Sequence, residues 1–88
     1  MKFLVKVKVD TKKLKEFGNA LQNGVLDRSC IRGETYCLND DPAIGYSIWE
    51  SSDQDEFDKK FKGWKDFYRE VEIQQVISPN EAMLRLFK

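Results

Sequence analysis

Apolar and polar residues alternate with a period of two at the beginning of the chain. The apolar members of this segment are Phe3, Val5, Val7 and Val9, and the residues between them are Leu4, Lys6, Lys8 and Asp10. Because successive side chains of a strand point to opposite faces, the pattern predicts a β-strand with one buried face.

The period then changes to that of an amphipathic helix. Apolar residues three or four positions apart form its expected buried stripe, which consists of Leu14, Phe17, Leu21 and Val25. Asp10 or Thr11 is expected to cap the beginning of this helix. Asn23-Gly24 is expected to end it, because glycine readily adopts the left-handed backbone conformation of a helix C-terminus.

Two further strands are predicted in the middle of the chain. Residues 28–38 alternate only weakly, which is typical of an edge strand, and Gly33 is expected to mark a bulge. Asn39-Asp40-Asp41-Pro42 is a turn by composition, and its acids do not recur at calcium-loop spacing. The third strand alternates two sets, Ile44, Tyr46 and Ile48 against Gly45, Ser47 and Trp49.

A second helix, a fourth strand and a short terminal helix complete the pattern. A serine cap followed by acidic residues opens the second helix within residues 51–56, and its core stripe is Phe57, Phe61 and Trp64. Gly63 is expected to end this helix early and to leave residues 64–68 as a connector. The fourth strand is predicted at 71–77, and Ser78-Pro79 begins a short apolar helix.

The element order is therefore β-α-β-β-α-β with a short C-terminal helix, which predicts an α+β fold of the ferredoxin-like type. We expect residues 1–88 to form one domain, with an antiparallel sheet in the strand order 4-1-3-2 and both main helices on one face. The face beneath the helices is expected to carry a largely apolar set: Phe3, Val5, Val7, Val9, Ile44, Tyr46, Ile48, Val71, Ile73 and Ile77.

The opposite face of the sheet is predicted to mix apolar, aromatic and charged side chains. Its expected members are Leu4, Lys6, Lys8, Arg32, Glu34, Tyr36, Ser47, Trp49, Glu72, Gln74 and Val76. Leaving its large apolar members in water would forgo about 1.5–3 kcal/mol of hydrophobic stabilisation for each of them. A second sheet laid across this face would bury them, so we expect a homodimer or a higher homo-oligomer.

Composition and charge narrow the chemistry. The 15 basic and 15 acidic residues cancel, whereas a nucleic-acid binder relies on a basic excess, so a nucleic-acid partner is disfavoured. Histidine is absent, which removes most zinc sites and histidine-based catalysis, and we expect no metal and no cofactor. Cys30 and Cys37 are expected to be reduced thiols. Neither a signal peptide nor a membrane span is visible, so a cytoplasmic protein without membrane contact is expected.

Five segments of the chain resemble the dimeric α/β-barrel families. These segments are Phe3-Leu4-Val5-Lys6-Val7, Gly45-Tyr46-Ser47-Ile48-Trp49-Glu50, Ser52-Asp53-Gln54-Asp55-Glu56-Phe57, Phe67-Tyr68-Arg69-Glu70-Val71-Glu72-Ile73 and Ile77-Ser78-Pro79-Asn80-Glu81-Ala82. The pattern is similar in particular to the muconolactone isomerase-like branch and its uncharacterised relatives. The resemblance implies two ferredoxin-like sheets packed face to face, with ligands between sheet and helices. Members include isomerases, monooxygenases and haem-degrading enzymes, and the histidine of the haem-binding branches is missing here.

The candidate ligand site consists of ionisable and aromatic side chains on the open sheet face. These are Lys6, Lys8, Arg32, Glu34, Tyr36, Trp49 and Glu72. Apolar walls with a few convergent charges suit a small organic acid, whose carboxylate Lys6 or Arg32 is expected to hold. Glu34 or Glu72 would serve as a proton-transfer base if it were buried, which would make any enzymatic activity isomerase-like.

Two other functions stay open at this point. If the charges of the sheet face pair with one another and no cavity is present, the protein is a non-catalytic assembly or regulatory module. RNA-recognition domains share the β-α-β-β-α-β plan and carry aromatic residues on their exposed strands, an arrangement that Trp49 and Tyr36 imitate. No segment of the chain matches the RNA-binding strand signature, which disfavours that function.

Overall fold

The computed structural model describes residues 1–87, which form a four-stranded antiparallel sheet and three α-helices. The elements in chain order are β1 (Lys2–Val9), α1 (Leu14–Gln22), β2 (Ile31–Cys37), β3 (Ile44–Glu50), α2 (Gln54–Lys65), β4 (Tyr68–Val76) and α3 (Pro79–Leu86), with a 3-10 turn at Thr11–Lys13. The strands lie in the order β2-β3-β1-β4. The predicted α+β ferredoxin-like plan and its strand order are confirmed.

Side-chain caps begin the helical segments. Asp10 Oδ1 accepts a backbone N–H two residues further on at 3.0 Å, and Ser78 Oγ accepts the N–H of Glu81 at 3.1 Å, both as expected. The cap of α2 is Asp53 and not the predicted serine, because its carboxylate accepts the N–H of Glu56 at 2.8 Å. A carboxylate at this position also interacts favourably with the positive end of the helix dipole.

The second helix runs through Gly63 to Lys65, so the prediction that this glycine ends the helix is wrong. The following residue, Trp64, is buried, and its Nε1 donates a hydrogen bond to the backbone carbonyl of Asp27 at 3.0 Å. Anchoring of the indole offsets the cost of a helical glycine, about 1 kcal/mol relative to alanine. The fourth strand consequently begins at Tyr68, earlier than predicted.

The register between β1 and β3 determines which side chains lie beneath the helices. The pairs on the helix-covered face are Phe3–Trp49, Val5–Ser47 and Val7–Gly45. The pairs on the open face are Leu4–Ile48, Lys6–Tyr46 and Lys8–Ile44. Directly opposite residues of an antiparallel pair share a face of the sheet, so this register assigns every side chain of β3.

The predicted orientation of β3 is therefore wrong. Ile44, Tyr46 and Ile48 lie on the open face, whereas Ser47 and Trp49 lie beneath the helices. A period of two does not say which face is buried when both sets of side chains are bulky. Burial of the larger indole decides the orientation, since only 1% of Trp49 is exposed.

An aromatic cluster beneath α2 forms the centre of the core. Trp49 meets Phe57, Phe61 and Trp64 edge-on, with ring centroids 5.5, 5.4 and 5.8 Å apart. Phe3 of β1 packs on Phe57 at 4.5 Å. Edge-to-face pairs contribute about 0.5–1.5 kcal/mol each beyond the apolar area that they bury.

The first helix covers the sheet less completely than the second. Phe17 and Ala20 are partly buried against the core, but Leu14 is 53% and Val25 71% exposed. The predicted buried stripe is therefore confirmed only at Phe17, since Leu14, Leu21 and Val25 are exposed. Val25 lies beyond α1, because the helix ends before Gly24, whose φ of 69° interrupts it. Space therefore remains between α1 and the sheet.

The edges of the sheet carry a bulge on one side and uncovered apolar side chains on the other. The predicted bulge is confirmed at Gly33, which has a φ of 70° and lies where the register of β2 against β3 shifts. On β4, Val71 and Ile73 face the helix side as predicted and remain more than a third exposed.

The apolar residues of α3 and its C-cap are largely exposed, namely Met83, Leu84, Leu86 and Phe87. Within residues 1–87, no helix has the length and apolar character that a membrane crossing requires.

Candidate functional site

Four of the open-face side chains form one row across the sheet. Tyr36, Tyr46, Lys6 and Glu72 lie opposite one another on β2, β3, β1 and β4. The Nζ of Lys6 lies 4.0 Å from Glu72 Oε2 and 5.9 Å from the ring centroid of Tyr46. The register therefore places three of the predicted site residues, Lys6, Glu72 and Tyr36, in the same row.

The other charged members of the predicted site form separate pairs. Lys8 Nζ lies 3.4 Å from Asp41. Arg32 Nε donates to Glu50 at 3.2 Å, and its Nη1 donates to a backbone carbonyl at 2.6 Å. Glu34 accepts a hydrogen bond from the hydroxyl of Tyr36 at 3.0 Å. Each of these charged groups already has a partner within the protein, and ion pairs at an exposed surface stabilise the fold by about 1 kcal/mol or less.

Trp49 does not belong to this group of residues. Its indole is enclosed by the aromatic cluster beneath α2, on the face of the sheet opposite to Lys6 and Glu72. The prediction that it joins the open-face site is wrong, for the reason that corrects the orientation of β3. Its Nε1 donates to the Oγ of Ser47 at 2.9 Å and so contributes to a different feature.

A cavity of about 230 Å³ lies between the sheet and the helices. Its inner wall is formed by side chains of β1, β3, α2 and β4 together with one glycine: Val5, Val7, Gly45, Ser47, Trp49, Phe61, Trp64 and Tyr68. Exposed residues line its mouth, namely Leu21, Arg28, Thr35, Cys37 and the predicted site residue Tyr36. Because α1 covers the sheet incompletely, this side of the sheet has an apolar, partly enclosed cavity.

Three polar side chains give the cavity its chemistry. Ser47 presents its hydroxyl at the inner wall, where it accepts the indole N–H of Trp49. Tyr68 stacks on Phe61 at a centroid distance of 6.0 Å, and burial raises the pKa of its phenol well above the usual value. Arg28 lies at the mouth and forms no ion pair with any carboxylate of residues 1–87. The cavity thus combines two neutral hydroxyls inside with one cation at its entrance.

Gly45, Ser47 and Tyr68 were not predicted as site residues, for two reasons. Gly45 and Ser47 were assigned to the wrong face of β3, and Tyr68 was assigned to a connector. The available signal was the small size of Gly45 and Ser47, because two small residues at alternate positions of one strand leave room on the face that they share. The structure shows no group of three or more metal-ligating side chains within the described residues.

The chain is similar in structure to several solved proteins. A 5-chloro-2-hydroxyhydroquinone dehydrochlorinase from Burkholderia phenoliruptrix, in complex with 2,5-dihydroxybenzoquinone, matches with a TM-score of 0.56 and 13% identity over 92% of this chain and 98% of that chain. An antibiotic biosynthesis monooxygenase matches with a TM-score of 0.48 and 11% identity over 88% and 98% of the two chains. A conserved protein from Methanosarcina mazei matches with a TM-score of 0.47 and 18% identity over 86% and 91%.

In sequence, no protein-family model and no curated protein matches the chain. The structural match to the dehydrochlorinase extends over nearly the full length of both chains, but its identity of 13% is too low to carry a residue role or a reaction from one to the other. What the match supports is the fold: this chain adopts the ferredoxin-like α+β architecture.

Proposed function

We propose that the protein binds a small organic acid built on a single ring, in the cavity between the sheet and the helices. The observation that carries the proposal is the combination of an apolar volume of about 230 Å³ with Arg28 at its mouth. An apolar cavity of about 150 Å³ already holds benzene, so this volume suits one ring with a substituent.

Charge complementarity supports an acid as the ligand. Arg28 lacks a carboxylate partner within the described residues, and its guanidinium binds a carboxylate in a bidentate geometry. The inner wall is apolar apart from the hydroxyls of Ser47 and Tyr68, so it receives the ring and not the charge. The dehydrochlorinase that shares the fold is complexed with 2,5-dihydroxybenzoquinone, also a single-ring compound.

Binding is the core of this proposal, and isomerisation of the bound acid is a narrower version of it. The resemblance to the muconolactone isomerase-like branch supports the narrower version. The carboxylates expected to act as bases do not support it, because Glu34 and Glu72 are exposed and neither lines the cavity. We therefore propose a small-molecule-binding protein and assign no base.

We further propose that the protein functions as a homodimer through the open sheet face. Leu4, Ile44, Tyr46 and Ile48 are partly exposed at the centre of this face. The pair Lys6–Glu72 lies among them, since Lys6 is opposite Tyr46, and the pairs Lys8–Asp41 and Arg32–Glu50 lie on either side. A face that mixes partly exposed apolar side chains with charges of both signs can pair with its own copy, and one patch on both copies satisfies a twofold axis.

A fluorescence titration tests the ligand proposal directly. Trp49 and Trp64 line the cavity, so benzoate is expected to change their emission in a saturable manner. Arg28→Gln is expected to weaken benzoate binding by about ten-fold or more, because a hydrogen bond to a charged group contributes about 1.5–3 kcal/mol. Benzamide, which is neutral, should be bound equally by both proteins. No saturable binding of any single-ring acid would contradict the proposal.

A further inference from the structure

Two adjacent helix-facing positions of β3, Gly45 and Ser47, hold small residues where the strand passes beneath the cavity. We propose that these two residues determine the specificity of the site. The missing side chain of Gly45 sets the length of the ligand that fits, and Ser47 donates a hydrogen bond to an acceptor oxygen at the inner end of the ligand. This inference rests on the proposed ligand site and names the chemistry that the site selects.

Gly45 is not required by the backbone of β3. Its φ is not positive, and a Cβ built on it would meet the carbonyl oxygen of Tyr36, the Sγ of Cys37 and a methyl of Val7 at 3.7–3.8 Å. These are ordinary van der Waals distances, so alanine fits without displacing a neighbour. Glycine weakens a strand and often marks a position where another group approaches the backbone closely. The missing side chain here leaves volume in the cavity wall.

Ser47 is held in a defined hydrogen-bonding state by Trp49. The indole Nε1 donates to Ser47 Oγ at 2.9 Å, and the indole itself is fixed by its contacts with Phe57, Phe61 and Trp64. A serine hydroxyl has one proton to donate and two lone pairs, and an indole N–H is a donor only. The indole therefore occupies a lone pair of Ser47 and leaves its O–H available to an acceptor in the cavity.

Tyr68 provides a second hydroxyl on the same cavity wall. Its phenol is a neutral donor at physiological pH, as tyrosine generally is, and burial raises its pKa further. Two donors in an apolar volume favour a ligand that carries an acceptor oxygen on its ring, because each buried donor left unpaired weakens binding. The selected ligand class is a single-ring acid with a hydroxyl or carbonyl oxygen at the end that enters first.

Affinities for four para-substituted benzoates separate the two roles. The probes are 4-hydroxybenzoate, 4-methylbenzoate, 4-ethylbenzoate and 4-propylbenzoate, each titrated calorimetrically against the wild-type protein and its variants. Hydroxyl and methyl groups are similar in size, so the ratio of the affinities for 4-hydroxybenzoate and 4-methylbenzoate measures the contribution of the hydrogen bond. The wild-type protein is expected to prefer 4-hydroxybenzoate over 4-methylbenzoate by about five-fold, the contribution of one hydrogen bond.

Gly45→Ala tests the length limit. It is expected to weaken the longest benzoate that the wild-type protein binds by about ten-fold or more, because one methylene of overlap in an apolar pocket costs about 10–200-fold. The affinity for 4-hydroxybenzoate should change less than about two-fold. Gly63→Ala is the matched control, since its Cβ would lie outside the cavity, 3.9 Å from Leu26. An unchanged length profile in a folded Gly45→Ala protein overturns this role.

Ser47→Ala tests the donor, and Ser47→Thr tests it in a second way. The alanine variant is expected to lose the preference for hydroxyl over methyl, and the threonine variant, which keeps the hydroxyl and the acceptor for Trp49, to retain it. Thermal unfolding of each variant reports whether it folds. A preference retained by Ser47→Ala, or lost by both variants alike, overturns the donor role. If no benzoate binds the wild-type protein, the proposed function itself fails, whereas normal binding with unchanged profiles rejects only the specificity roles.

Discussion

Trp49 lies directly opposite Phe3 on neighbouring antiparallel strands, so both side chains occupy the helix-covered face of the sheet. This single pairing assigns the remainder of β3. It places Gly45 and Ser47 in the wall of the cavity and Tyr46 on the open face. Core, cavity and proposed interface therefore all depend on one register, and each can be tested separately.

The first prediction concerns the two aromatic residues of β3. Trp49→Ala is expected to lower the free energy of unfolding by about 3–5 kcal/mol, because it removes the centre of a buried aromatic cluster. Tyr46→Ala, on the partly exposed open face, is expected to cost much less. Urea denaturation of both variants provides the measurement. Equal losses would contradict the assignment of the two side chains to opposite faces.

The second prediction concerns the proposed dimer. Leu4→Lys places a charge at the centre of the open face and is expected to convert the dimer to a monomer in sedimentation equilibrium at micromolar concentration. The control Leu14→Lys makes the same chemical change on α1, where the leucine is already 53% exposed, and should leave the dimer intact. A wild-type species of 10.3 kDa would contradict the dimer itself.

The third prediction concerns the ion pair that holds the loop between α1 and β2 against α2. Lys60 Nζ donates to Asp27 Oδ2 at 2.7 Å, and this bond, with the N–H of Ser29, holds the pKa of the Asp27 carboxyl well below its usual value. A lowered pKa in the folded state stabilises the protein above the unfolded pKa of about 4, and the contribution is lost as the pH falls below it.

Asp27→Asn is therefore expected to lower the melting temperature at neutral pH, with a difference from the wild type that narrows below about pH 4. Lys60→Gln removes the other partner of the same pair, so its difference in melting temperature from the wild type should also narrow below about pH 4. Melting curves measured across the acid range supply the comparison. A difference that stays constant with pH would show that the pair does not couple to folding.

The fourth prediction concerns the buried phenol of the cavity. Burial disfavours the phenolate of Tyr68 and so raises its pKa, and the folded state is therefore expected to lose stability as the pH rises above the unfolded pKa of about 10. Spectrophotometric titration of the phenolate absorbance is expected to show one tyrosine that ionises late or only on unfolding. Tyr68→Phe should remove that component. A titration that Tyr68→Phe leaves unchanged in its late part would contradict the burial.

Much of the fold was predictable from local patterns. In β1 one set of alternating residues is apolar and the other largely charged, so Phe3, Val5 and Val7 could be assigned to the buried face. The starts of helices could be predicted from capping residues, because a capping side chain accepts a hydrogen bond from a backbone N–H only two or three residues further along the chain. Asp10 and Ser78 illustrate this, since each accepts from a neighbouring N–H.

The site was less predictable because it depends on contacts between distant segments. In β3 both sets of side chains are bulky, and only the cluster with Phe57, Phe61 and Trp64 decides that Trp49 is the buried one. The connector assigned to Tyr68 was wrong because tertiary anchoring of Trp64 outweighs the helix-breaking tendency of Gly63. The cavity arises from a missing side chain and an incompletely packed α1, and neither leaves a periodic signal in the sequence.

The most direct test of the ligand site is the nuclear magnetic resonance signal of the Trp49 indole N–H, which donates to Ser47 at the cavity wall. Adding 4-hydroxybenzoate is expected to shift this signal in a saturable manner, together with the backbone amides of Gly45 and Ser47. Shifts confined to the open-face side chains of Lys6 and Tyr46, with the Trp49 signal unmoved, would contradict the account.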